Sequence, residues 1–111
     1  MIINGYNYHF AYTVGAYCDI SDLRLDPPKT MPEQCKTVIQ MAVIMSKAYE
    51  DMQRLADPSY KVRYLGLNEV RALSVKQVID ELTPEVDSAV KEGSYRTVEA
   101  QPQKKETGTA Q

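Results

Sequence analysis

Ile2-Ile3-Asn4-Gly5-Tyr6-Asn7-Tyr8-His9-Phe10-Ala11-Tyr12-Thr13-Val14-Gly15-Ala16 is the stretch that decides the fold of this chain. Asn-Gly is a strong hairpin signal, because both residues tolerate the positive φ of a type I′ turn. Ile2-Ile3 and the residues from Tyr6 onward are then the two arms of a short hairpin. Tyr6, Tyr8, Phe10 and Tyr12 alternate with Asn7, His9 and Ala11. That period of two places the rings on one face of a strand. Thr13 is placed to cap a helix that begins at Val14. The hairpin thus delivers the chain into helices and offers them an aromatic face.

Outward from this opening, Val14 to about Leu23 reads as a first helix. Its buried side is expected at Val14, Tyr17 and Cys18, with Ile20 and Leu23 on the adjacent strip. Asp26-Pro27-Pro28 breaks it, since a residue before proline avoids the helical region. Thr30-Met31-Pro32-Glu33 has the form of a capping box for the main helix, about 33–55. There Cys35, Val38, Ile39, Ala42, Met45, Tyr49 and Met52 recur at helical spacing, and Met41, Val43, Ile44 and Ala48 widen the apolar surface. A helix apolar on most sides is the centre of its domain or an oligomer seam. Asp57 to Gly66 is a connector that fits a short strand or a helical turn, and Leu67 to Leu73 suits a helical turn. Ser74-Val75-Lys76-Gln77 is a second capping box. Val75, Val78, Ile79 and Leu82 are its expected buried stripe, Thr83-Pro84 restarts a helix, and Gly93 ends it. The expected fold is α+β and mainly helical. One hairpin-plus-helices domain covers 1–93, and a polar segment, 94–111, follows as a flexible tail.

The bulk composition narrows the function classes. The chain has 111 residues, 43% of them apolar and 25% charged, and a formal charge of −2. This suits one soluble domain with a modest core. The lysines and arginines before Gly93 are scattered among acids, so no basic stripe points to nucleic acid. No apolar run is long enough to span a bilayer, and no signal peptide is evident, so a cytoplasmic protein is expected. Cys18 and Cys35 fall among apolar positions and are expected as reduced core cysteines.

Little in the chain announces chemistry. His9 is the lone histidine, and no HExxH or CxxC accompanies it. Asp19, Asp22 and Asp26, and then Asp80, Glu81, Glu85 and Asp87, sit on exposed helix faces or near helix starts, where acids favour the helix dipole. Gly15 is expected to permit close packing of strand and helix, since the rest of a phosphate loop is missing. No catalytic residue, metal or cofactor is expected. The aromatic set is skewed, with 8 Tyr, 1 Phe and no Trp. The first reading of the tyrosine row is packing under the helices, and the second is a protein interface. The methionines of the main helix are likewise core first and an adaptable face second. Tyr6, Tyr8, Tyr12, Met41, Met45, Tyr49 and Met52 are the candidate partner-binding residues.

Ile3-Asn4-Gly5, Thr13 to Ala16, Thr37 to Tyr49 and Leu73 to Leu82 together resemble the tail assembly chaperones of siphophages and their prophages. The resemblance covers about 1–92 in layout. This chain differs in carrying tyrosine where many relatives have lysine in the turn, and in its Pro27-Pro28 break. The resemblance implies a non-enzymatic assembly factor in the bacterial host cytoplasm. Its partner would be the long, helical tape measure protein, with the tail tube protein and self-association as further contacts. The competing classes are a structural head–tail connector and a generic bacterial interaction module. The resemblance also implies a second, longer product made by ribosomal frameshifting. Gln103-Lys104-Lys105 must be encoded by an adenine-rich run on which such a shift is feasible, although two lysines that merely solubilise a tail fit equally. A minor product sharing residues 1 to about 104 is expected by mass spectrometry of the native gene product. A single species, with no overlapping reading frame downstream, would remove the idea.

Overall fold

Asn4 and Gly5 both adopt positive φ, 51° and 78°, as a type I′ turn requires. This computed structural model describes residues 1–95. Strands β1 (Ile2–Ile3) and β2 (Tyr6–Asn7) pair antiparallel, Ile2 opposite Asn7 and Ile3 opposite Tyr6. The second arm was expected to run as a strand through Tyr12, but it stops at Asn7. No third strand meets it among the described residues. Tyr8 still exchanges hydrogen bonds with Met1, its amide donating to the Met1 carbonyl and its carbonyl accepting from the Met1 nitrogen, each at 2.8 Å. The chain then runs on without regular structure to Thr13, and the Ala11 amide donates to the Met45 carbonyl at 3.0 Å.

Helix α1 (Val14–Asp22) starts as expected, with the Thr13 hydroxyl accepting from the Ala16 amide at 3.1 Å. Its buried side differs from the expected one. Ala16 is buried and Ile20 half-buried, whereas Val14, Tyr17, Cys18 and Leu23 are exposed. Residues 16 and 20 lie one turn apart and form a narrow seam. A small Ala there lets α1 sit close to its neighbour, and the wider side chains fall outside the contact. Cys18 is therefore a free surface thiol rather than a core residue, while Cys35 is free and half-buried. Arg24, at φ 53°, turns the chain soon after α1 ends, ahead of the Pro27-Pro28 break.

Helix α2 (Met31–Ala56) has 26 residues, about 39 Å of rod. The Thr30 hydroxyl accepts from the Glu33 amide, while the Glu33 carboxylate accepts from the Lys29 amide, one residue earlier than in a standard box. Val38, Ala42, Met45, Ser46 and Glu50 form its buried line. Met1, Ile3, Tyr8, Ala16, Leu65, Val70, Val78, Leu82 and Val86 complete the core. α2 is thus the central element, with α1, α3 (Leu67–Arg71) and the C-terminal helices packed on it. The connector before α3 contains no strand.

Helix α4 (Val75–Gln77) begins with the expected capping box, Ser74 and Gln77 each accepting the other's amide. Val75, however, is exposed, and the stripe is carried by Val78 and Leu82. The expected restart at Thr83 does not occur. A π-turn, Val78–Leu82, joins α4 directly to α5 (Thr83–Tyr95). Pro84 offers no amide and crowds the carbonyl of Asp80. The wider turn accommodates the ring, and the Thr83 hydroxyl donates to the Val78 carbonyl at 2.8 Å. Thr83 is helical in conformation rather than a cap.

Gly93 does not end α5, which runs to Tyr95. Ser94 and Tyr95, expected in the flexible tail, are helical, and 96–111 lie outside the described residues. Gly93 is instead the close-approach glycine of the fold. A Cβ there would stand 2.7 Å from Tyr12 Cβ and 2.9 Å from the Tyr12 carbonyl carbon. At Gly15 the nearest atom would be Thr13 Oγ1 at an ordinary 3.7 Å, so the role assigned to Gly15 belongs to Gly93. Within a helix, Gly→Ala normally stabilises by about 1 kcal/mol. Overpacking against backbone costs about 1–3 kcal/mol, so the clash should win. Gly93→Ala should lower the thermal midpoint. A midpoint equal to or above the wild-type value would show that α5 does not press on Tyr12.

Candidate functional site

The candidate residues do not gather on one face. Tyr8 and Met45 are fully buried core residues and present no accessible surface, because the hairpin closes directly over α2. Tyr6 is half-buried, with its edge on Tyr8 and the Arg63 guanidinium 4.8 Å from its ring centre. Tyr12 is half-buried beside Tyr17, ring centres 6.2 Å apart. Met41 lines a hollow of about 280 Å³ between α2 and the C-terminal helices, with Cys35 and Ile79. Tyr49 and Met52 line a separate cleft with His9 and Phe10.

Two surfaces collect the accessible side chains. The first is a groove of about 270 Å³ between α1 and α2, where Ile44, Ala48 and Met52 face Ala16 and Asp19. Lys47, Asp51 and Leu55 of α2 also line it, Leu55 being 85% exposed, while the exposed Val14 and Tyr17 of α1 lie outside it. The second is a cleft of about 460 Å³ between α2 and α5. The segment His9–Ala11 lines it, as do Tyr49 and Met52 of α2 and Glu85, Ser88 and Glu92 of α5. His9 and Tyr49 lie ring against ring at 4.9 Å.

The polar groups behind these surfaces tie the connector to the hairpin and to α2. Glu50 is buried, yet its carboxylate accepts from the Arg63 amide at 2.8 Å and from the Tyr60 hydroxyl at 3.2 Å. Arg63 Nε donates to the Tyr8 hydroxyl at 3.1 Å. Hydrogen bonding to Tyr6, then burial and Glu50, pushes the Tyr60 hydroxyl upward from its ordinary range. Asp51 pairs with Lys47 at 2.7 Å and accepts from the Tyr64 hydroxyl at 2.7 Å. Those two bonds, Lys47 first, hold the Asp51 carboxyl below its usual value. Glu69 is lowered by the Gly66 amide and then by Asn4, which donates at 3.1 Å. Ser46 Oγ is buried with no partner among the described residues. Sequence reasoning missed Glu50 and Glu92, and singled out His9 without placing it against Tyr49. Glu50 was detectable, since it lies in the buried phase set by Val38, Ala42 and Ser46.

Among the described residues, no group of His, Cys, Asp and Glu is placed to hold a metal ion, and no helix is long and apolar enough to cross a membrane. Compared with known proteins, the chain matches no family model, no curated protein and no solved structure.

Asp51, Asp57 and Glu69 all have lowered folded-state pKa values. Each lends stability above its unfolded pKa, and that stability is lost as pH falls through the folded value. The thermal midpoint should therefore decline once pH drops below about 4. Glu69→Gln should flatten part of that decline. A midpoint that holds steady into strong acid would contradict these assignments.

Proposed function

We propose that this chain is a non-catalytic tail assembly chaperone of the siphophage type, acting in the bacterial host cytoplasm on the tape measure protein. The observation that carries the reading is the α1–α2 groove, with Ile44, Ala48, Met52 and the exposed Leu55 along its α2 wall. Apolar side chains held out to water beside an unfilled interhelical groove favour helix-in-groove recognition. A tape measure offers long apolar helical stripes until the tail tube encloses them. The hairpin-plus-helices layout also supports the reading, since it is the feature by which the sequence resembles that family.

Co-expression with the product of a neighbouring tape measure gene tests the proposal, and the absence of such a gene from the genome would defeat it. The wild-type chain should keep that protein soluble and co-purify with it. The change Leu55→Glu, at an exposed apolar residue of the groove lining, should weaken capture about tenfold, as loss of an interface anchor does. Val75→Glu, at an exposed apolar site elsewhere, should retain it. Failure of the wild-type chain to co-purify would defeat the reading. So would stoichiometric abundance in mature virions, which would favour a connector.

A further inference from the structure

This chain holds one cation between a tyrosine ring and a carboxylate: Lys47 lies 5.4 Å from the Tyr64 ring centre and pairs with Asp51. A second cation, Arg63, lies 4.8 Å from the Tyr6 ring centre and donates to the Tyr8 hydroxyl. The α2–α5 cleft brings a tyrosine ring and a carboxylate together again. Tyr49 stands on one wall and Glu92 on the other, with Glu85 a short way along α5. Among the described residues, no lysine or arginine lines the cleft and Glu92 makes no ion pair. Glu85 is engaged by the Met1 nitrogen at 3.1 Å.

The remaining lining suits the stem of a basic side chain. Phe10, Met52 and Ala89 are half-buried and apolar, and His9 stacks on Tyr49. Long basic side chains lay their methylenes on apolar surface and keep the charge at its rim. An aromatic face within about 6 Å attracts that charge. The backbone adds donors for a peptide's carbonyls: the amides of His9 and Phe10, which line the cleft, make no backbone hydrogen bond among the described residues.

We propose that the α2–α5 cleft is a docking site for a lysine- or arginine-bearing peptide segment, whose stem lies on Tyr49, Phe10 and Met52 and whose cation meets Glu92. This surface is separate from the α1–α2 groove, and its test does not depend on the tail assembly reading. The probe is a short, acetylated and amidated peptide of alternating leucine and lysine, added to the isotope-labelled full chain. The backbone resonances of His9, Tyr49 and Glu92 should shift together and saturate. The affinity should fall about threefold in Glu92→Gln and about tenfold in Glu92→Lys, with the thermal midpoint unchanged. The same peptide with glutamate for lysine should not bind. The proposal is overturned if Glu92→Lys binds the lysine peptide as well as wild type, or if the shifts map elsewhere. It is also overturned if the lysine peptide fails to bind and the chain self-associates in a manner that Glu92→Lys abolishes, because a second copy would then be the occupant.

Discussion

The extended segment from Tyr8 to Tyr12, held between α2 and α5, is the constraint on which the rest of the structure depends. One side of it is fixed to α2 by the Ala11 amide on the Met45 carbonyl. The other side is pressed by α5 at Gly93, where only a hydrogen fits beside the Tyr12 backbone. Tyr8, fully buried, anchors its start in the core. α2 and α5 touch each other directly elsewhere along their length, and the cleft between them lies where residues 9–11 run beside both. The hairpin is less a sheet than a device that starts this segment in the right direction.

The π-turn has a matching role. Proline inside a helix usually stops or kinks it. Here the extra residue in the turn before Pro84 lets α4 and α5 run on as one rod, with Val78, Leu82 and Val86 all kept on the buried side. Had the helix ended at Leu82 and restarted, the stripe would have had to be set anew. Continuity carries α5 far enough for Gly93 to reach Tyr12 and for Glu92 to face the cleft.

Local chemistry was readable in the sequence and tertiary choice was not. The Asn4-Gly5 turn and the caps at Thr13, Thr30 and Ser74 each depend on a few adjacent residues, and all four formed. The buried face of α1 was misread because periodicity reports which residues share a stripe, not which stripe meets a neighbour. Val14, Tyr17 and Cys18 share one stripe and Ala16 and Ile20 another, and the smaller one won because it allows closer approach. Gly93 read as a stop because glycine often follows a helix. Its close approach to Tyr12 lies 81 positions back along the chain, where no local pattern reaches. The cleft was invisible for the same reason, being assembled from three separated segments.

The tyrosine-rich composition has a structural explanation that phenylalanine would not satisfy. Tyr8 is fully buried in the core, yet its hydroxyl receives Arg63. Tyr60 donates to the buried Glu50, and Tyr64 to Asp51. The connector between α2 and α3 has no strand and little apolar bulk with which to hold itself against the helix. Its order comes from rings that pack at one end and hydrogen-bond at the other. A buried carboxylate such as Glu50 is costly unless several donors converge on it. The connector supplies them, an amide and a phenol, from residues that would otherwise lack partners. The charge and the loop thus stabilise each other. Arg63, on the same connector, reaches the Tyr8 hydroxyl, so the mutual dependence extends to the segment that leaves the hairpin.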